Sequence, residues 1–375
     1  MRLLICMPHY SPWAQHLAVM LQSFGHEVHI FDFVDTSNSG YVNSKISGIV
    51  SDFERFKTQV SGIHLACPPL KSKLWYALYV RRFARLAREI QAEMVLTLYG
   101  GWFALLAYLS GVRPYCVYVV GSDILLSGPV KRRINRVTLK AASRVFANGE
   151  YLAAKAQKQA PRAWIEPLLI GINTRAFQLA SPPSGPVQLI CTRGFQPIYN
   201  NEAILRAVAR FPSEAPEFRL VFTSGGEGIR GASSLADKLI RPDLRGRIEF
   251  WGGVSYARIV EGLHNSHVFV SLSRSDGTAT SLLEALACGL YPVLSDIPQN
   301  REWVSEEAAN GRLVTLDDDA QLADALLYAI RISCEGRRHA ELNRALVHAR
   351  ADAEANQRRL AKALEVARAS FSRIR

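Results

Sequence analysis

Two carboxylates eight positions apart, Asp276 and Glu284, bracket the turn Gly277-Thr278-Ala279-Thr280-Ser281 in the stretch SRSDGTATSLLEALACGLYPVLSD. A Gly/Thr/Ser-rich turn running into a helix presents free backbone amides and the positive end of the helix dipole, which suits a phosphate or diphosphate. Gly277 permits close backbone approach, and Thr278, Ala279 and Thr280 offer amides or hydroxyls to the same ligand. Carboxylates on either side accept hydrogen bonds from sugar hydroxyls. A purely structural reading fits the same residues: Ser281-x-x-Glu284 is a capping box, in which the helix dipole favours Glu with no ligand present. The local pattern leaves both open.

The elements that must position such a turn are strands, because open α/β sheets bind ligands beyond the carboxyl ends of their strands. The run VFVSL precedes the turn and reads as one. Short β-rich runs alternate with helical ones along the chain, the pattern of parallel sheets wound by crossover helices. In the first half, strands are expected at 3–7, 28–31, 94–97, 115–119, 144–147 and 163–166, with helices at 14–24, 74–91, 103–109, 130–142 and 151–159. The Pro/Ser/Gly-rich segment QLASPPSGP, residues 178–186, reads as a linker. After it come strands at 187–191, 218–223, 247–250, 268–271 and 291–294, and helices at 201–211, 232–239, 256–264, 281–287 and 320–332. The expected organisation is a first Rossmann-like domain over 1–177, a second over 187–350, and a C-terminal helix over 351–375 packing back on the domain junction.

Length and composition agree with two ordinary cores, since 375 residues exceed one typical domain and 49% are hydrophobic against 21% charged. The start, MRLLICMPHY, carries too short an apolar run for a secretory leader, and the apolar stretch 102–120 is broken by Gly111, Arg113 and Pro114. Six cysteines without CxxC spacing imply a reduced, cytoplasmic setting and no metal site. Charge is uneven: residues 1–180 hold 21 Lys and Arg against 10 Asp and Glu, the rest 24 against 23. Basic residues mix with aromatics over 71–90 and recur over 131–140, so these helices are candidates for an anionic bilayer surface, with solvated helix faces as the alternative. No nucleic-acid partner is expected, because the charge comes without a recognised binding module.

The segment from Asp276 resembles the signature of glycosyltransferase family 4: two acidic residues eight positions apart, then Ala287, Gly289, Pro292 and Val293 entering a strand. LLIGINTRAF (168–177), RIEFWGGVSYARIVEGLHNSHVFVSLSRSD and TSGGEG (223–228) resemble further motifs of that family, and GHEVHIF and VVGSDIL extend the likeness into the first half. The resemblance implies the GT-B fold, two doubly wound parallel-sheet domains facing across a cleft. It also implies retaining, metal-independent transfer of a sugar from a nucleotide diphosphate, with a UDP-sugar as the expected donor and no cofactor. By that similarity Glu284 holds the ribose hydroxyls, Asp276 contacts the donor sugar, and Arg193, followed by Gly194, binds the diphosphate. The acceptor is expected to be a glycan or lipid-linked, in cell-surface polysaccharide or glycoconjugate synthesis, met by a peripheral enzyme at the cytoplasmic leaflet.

Several departures from the family pattern mark this chain. Asp276 stands where the family commonly has Glu, Tyr199 where relatives place a lysine, and Val120 where many carry histidine; the first loop also lacks their double glycine. These changes leave room for a non-catalytic GT-B subunit that binds nucleotide sugars, and sugar-nucleotide epimerases share the fold. On the first domain, His9 and His16 flank the loop after the first strand, and Gly121, Ser122 and Asp123 form a later one. All five are expected to face the cleft, Asp123 either orienting a substrate or capping the following helix. His26 and His29 read as ordinary strand histidines, and Asp317-Asp318-Asp319 as a helix N-cap.

Overall fold

A computed structural model describes residues 1–9, 11–33, 55–66, 75–179, 185–224, 228–305, 307–335 and 338–374. It divides into two compact units, one of Met1–Ile170 with Ala353–Arg375 and one of Gly171–Asp352. Lys71, Lys73 and Cys67, much of the 178–186 segment and the centre of TSGGEG lie outside the described residues.

Unit 1 is built on seven strands: β1 (Arg2–Cys6), β2 (Glu27–Asp32), β3 (Gly62–Leu65), β4 (Met94–Leu98), β5 (Tyr115–Val119), β6 (Arg144–Ala147) and β7 (Ile165–Pro167). They pair in parallel in the order β3-β2-β1-β4-β5-β6-β7. Side chains alternate across a strand, so Leu4 and Cys6 enter one core with Val95, Val117 and Phe83, while Leu3 and Ile5 enter the other with Val28, Leu96 and Phe146. Strand β3 escapes a hydrophobicity scan because GIHL is short and only partly buried.

The last helix, Ala353–Ile374, belongs to this unit: Leu360 and Leu364 are buried beside Leu17 and Leu21 of helix Pro12–Ser23. Helix Trp75–Glu89 turns Tyr79 and Phe83 into the core and leaves Arg81, Arg82, Arg85 and Arg88 exposed. Tyr79 and Phe83 are therefore packing residues, and the four arginines form the outward face of that helix.

Unit 2 carries β8 (Val187–Cys191), β9 (Phe218–Phe222), β10 (Ile248–Phe250), β11 (Val268–Ser271), β12 (Tyr291–Ser295) and β13 (Arg312–Val314). All pair in parallel in the order β10-β9-β8-β11-β12-β13. Leu189, Leu220, Val268 and Val293 meet Leu205, Leu326 and Ile330 on one face. On the other, Gly262 lets helix Tyr256–His264 approach closely, since a Cβ there would stand 2.9 Å from the Trp251 ring and 3.2 Å from Ile190. Helix Arg338–Ala351 is stitched on by buried Asn343, which donates to the carbonyls of Leu290 and Asn310 and accepts from the Asn310 amide.

Candidate functional site

In the second sheet β8 has β9 on one side and β11 on the other, so the chain reverses its direction of winding between β8 and β11. Loops leaving two neighbouring strands diverge at such a switch point and open a crevice at their carboxyl ends. Arg193 follows β8 and Asp276 follows β11. The Arg193 guanidinium bonds Asp276 Oδ2 at 2.5 Å and donates from Nη1 to Ser281 Oγ at 3.2 Å. Its face stacks on the Tyr199 ring with the guanidinium carbon 4.1 Å from the centroid. Its Nε is buried without a hydrogen-bond partner, which leaves one charged donor unused.

Both loops are pinned from beneath. Asn201 donates to the carbonyls of Arg193 at 2.9 Å and Gly194 at 2.8 Å, and the Arg274 amide donates to Ile198 O at 2.8 Å, tying one loop to the other. Ser295 Oγ holds Ser273 O at 2.6 Å, and Asn300 in turn donates to Ser295 O at 2.8 Å. Asn201 and Tyr199 thus position Arg193 through backbone and ring. Sequence patterning singled out Tyr199 only as a departure and did not find Asn201, a polar residue with no periodic signal.

Helix Thr280–Ala287 decides between the two readings of Ser281 and Glu284. Its N-cap is Ala279, with no side-chain cap hydrogen bond. Ser281 Oγ is engaged by Arg193, and Glu284 Oε1 accepts from the Tyr256 hydroxyl at 3.2 Å. No capping box forms, so the first-turn amides after Gly277 and Thr278 are not consumed by a side chain of the helix. Burial pushes the Glu284 carboxyl up to about 7, opposed by the Tyr256 hydroxyl and the Arg193 charge. Asp276 is also raised by burial, against the pull of Arg193 and the Gly277 amide. Two carboxylates and one guanidinium thus share one partly desolvated place. They hold hydrogen-bonding capacity for hydroxyls beside a cation and a helix start for an anion.

In unit 1, β1 occupies the equivalent place between β2 and β4. His9 follows β1; its Nδ1 lies 2.6 Å and its amide nitrogen 2.8 Å from Asp32 Oδ2, a buried carboxylate at the end of β2. Asp32 was not found from sequence, although GHEVHIFD ends on it. His16 stands on helix Pro12–Ser23 with Nδ1 3.4 Å from Gln357, and partial desolvation lowers its pKa.

Asp123 has a different job from either one expected of it. It is 2% exposed, and its oxygens accept from the amides of Gly100 at 2.7 Å, Gly121 at 2.8 Å and Val120 at 3.1 Å. The carboxylate ties the loop after β4 to the loop after β5 instead of facing a substrate or capping helix Ser122–Leu125, whose N-terminus has no side-chain cap bond. Asn135 completes this knot by accepting from Gly101 N and donating to Asp123 O. Ser122 is exposed at the start of that helix.

The four described cysteine side chains, Cys6, Cys116, Cys191 and Cys288, are buried. Asp318 Oδ1 accepts from Gln321 N at 2.9 Å and caps the helix that begins at Asp319, while Asp317 and Asp319 pair with Arg274 and Arg206. Among the described residues no group of three or more His, Cys, Asp or Glu is placed to hold a metal ion. No described helix is long and apolar enough to cross a membrane.

Residues 175–345 match the family described as glycosyl transferases group 1. A stretch of 109 residues is 29% identical to GDP-mannose:cellobiosyl-diphosphopolyprenol alpha-mannosyltransferase of Xanthomonas oryzae pv. oryzae; it covers 29% of this chain and 28% of that relative's length. Among solved structures, sucrose-phosphate synthase from Thermosynechococcus elongatus superposes with a TM-score of 0.80 at 16% identity over 99% of both chains. Anabaena HepE in complex with UDP and glucose gives 0.76 at 15% identity, over 98% of this chain and 100% of that one. The chain has the GT-B fold, two parallel-sheet Rossmann-like domains.

Proposed function

We propose that this chain, which belongs to the glycosyl transferases group 1 family through its second unit, transfers a sugar from a nucleoside diphosphate sugar to a glycan or lipid-linked acceptor. The observation that carries this reading is the convergence of Arg193, Asp276, Ser281 and Glu284 at the switch point of the second sheet, inside the matched stretch. Glu284 receives the ribose hydroxyls. Asp276 receives hydroxyls of the transferred sugar, and Arg193 with Gly194, Gly277, Thr278, Ala279 and Thr280 holds the diphosphate.

Breaking the anomeric C–O bond leaves negative charge on the diphosphate, and a fixed cation and oriented amides stabilise that charge without reorganising. Arg193 suits the task because its loop is immobilised by Asn201, its ring partner Tyr199 holds its plane, and its Nε has a bond still to make. To take the diphosphate it gives up part of its contact with Asp276, and the freed carboxylate turns to the sugar.

A UDP-sugar, expected from the sequence, stands beside GDP-mannose, the donor in the name of the Xanthomonas relative. The acceptor side is assigned to unit 1, where His9 sits on Asp32 and the Asp123 knot fixes the neighbouring loops. A basic outer surface on this unit supports work at an anionic leaflet, with helix Pro129–Ala141 as the contact. Incubating the purified protein with a panel of UDP- and GDP-sugars, then measuring binding, hydrolysis, epimerisation and transfer to lipid-linked glycans, tests the reading. Binding without turnover makes it a nucleotide-sugar-binding subunit, and release of an epimer makes it an epimerase.

A further inference from the structure

Unit 1 carries a cavity of about 600 Å³ between helices Pro129–Ala141 and Glu150–Gln159, and five of its lining side chains are cations: Arg132, Arg133, Arg136, Lys155 and Lys158. None of the five has an ion-pair partner among the described residues; Arg136 reaches only Gln159 O, and Lys155 lies over the Tyr151 ring. Several arginines elsewhere are neutralised, Arg206 by Asp319, Arg245 by Asp237 and Arg301 by Asp296. Lys158 stands in the last turn of its helix, where the dipole favours a cation. The dipole accounts for that one residue and leaves four like charges gathered around one hollow.

Like charges held together without counter-charge repel, so such a cluster is relieved by an anion that bridges them. Arginine forks match the oxygens of phosphate, and lysines add point charge. The surroundings indicate where that phosphate comes from. Val130 is 66% exposed, Val137 is 47% exposed one heptad on along the same helix, and Leu126 is 59% exposed just before it. Cations interleaved with outward apolar side chains fit a bilayer interface, where headgroup phosphates lie above acyl chains.

We propose that this cavity seats the phosphate of an anionic lipid headgroup while Leu126, Val130 and Val137 rest in the apolar part of the interface. The inference rests on the reading of helix Pro129–Ala141 as membrane-facing and adds to it a discrete phosphate site, formed in part by Lys155 and Lys158, which lie outside the basic run of the sequence.

The test uses the full chain with phosphatidylcholine vesicles doped with phosphatidic acid or with phosphatidylglycerol, matched in surface potential. A cavity that grips phosphate favours phosphatidic acid, whose phosphate is uncovered, over phosphatidylglycerol. Arg133→Gln combined with Lys155→Gln removes two cations and lowers affinity for phosphatidic-acid vesicles roughly thirtyfold. It also erases the preference, as does added inorganic pyrophosphate. Arg81→Gln combined with Arg82→Gln, an equal loss of charge on exposed positions off the cavity, keeps the preference. Equal binding of the two anionic vesicles by the unaltered protein overturns the phosphate site and leaves membrane contact standing. So does a preference that survives in the Arg133/Lys155 variant with unchanged circular dichroism. Absence of binding to every anionic vesicle overturns both. Pyrophosphate binding that the Arg133/Lys155 variant loses, without vesicle binding by the unaltered protein, overturns the lipid assignment.

Discussion

Replacing Glu284 by Gln should make donor binding insensitive to pH. In the free protein burial holds this carboxyl at about 7, so close to neutrality it is half protonated. Ribose hydroxyls are donors, and the ionised carboxylate is the stronger acceptor for them. Binding therefore selects the ionised form. The ionised fraction rises from roughly a tenth at pH 6 to nine tenths at pH 8, so affinity for the nucleotide sugar should improve about tenfold over that range, or about 1.4 kcal/mol. At pH 7 about half a proton should be released per donor bound. Isothermal titration calorimetry in buffers of different ionisation enthalpy measures both quantities on one sample. Glu284→Gln keeps the size and one acceptor, so its pH profile should be flat and its affinity at pH 8 lower by about 2 kcal/mol, the worth of a charge-assisted hydrogen bond. A wild-type affinity that is level from pH 6 to pH 8, or a Gln variant that retains the slope, refutes the assignment of Glu284 to the donor.

The same group sets a stability trend in the absence of donor. Its folded pKa lies above the unfolded value, so its contribution is complete below about 4.5 and is lost as pH rises through about 7, by up to about 3 kcal/mol; denaturant titrations of wild type and Glu284→Gln should agree most closely near pH 4.5 and diverge as pH rises, the wild type losing stability that the variant keeps. Tyr256→Phe deletes a hydrogen bond that favours the ionised carboxylate, so the midpoint of the pH dependence of donor binding should move upward, and an unmoved midpoint counts against that contact. Asp123→Ala leaves three backbone amides without their acceptor and should cost about 3 kcal/mol, read as a lower denaturant midpoint; an unchanged midpoint contradicts the structural role given to it. Arg193→Lys keeps the charge but loses the fork and the flat stack on Tyr199, and should weaken donor binding at least tenfold in a fluorescence titration.

Strands β1, β4, β5, β8, β11 and β12 were legible because each is a mostly apolar run buried on both faces, the pattern a parallel sheet imposes. Strand β13 sits at a sheet edge with three residues, too few for a pattern, and the four-residue helix Ser122–Leu125 lacks a full amphipathic repeat. Helix Trp75–Glu89 was legible as a helix, but basic and aromatic residues at helical spacing look alike whether the rings face a core or a bilayer, so the burial of Tyr79 and Phe83 was not. The candidate site divides the same way. Glycine-rich turns and paired acids leave a linear trace, so Asp276 and Glu284 were visible. The dual identity of Ser281 and Glu284 was not resolvable in one dimension: whether Glu284 reaches back to its own helix or across to Tyr256 depends on where helix Tyr256–His264 lies. Asp123 illustrates the limit, since its partners Gly100 and Asn135 flank it in sequence at distances no local rule connects.

Equilibrium binding of a UDP- and GDP-sugar panel to the Arg193→Ala and Glu284→Ala proteins, both verified as folded, tests the central claim most directly. The account predicts that any nucleotide sugar bound by the wild-type chain loses at least tenfold in affinity in each variant. Undiminished affinity for every one of them would contradict it.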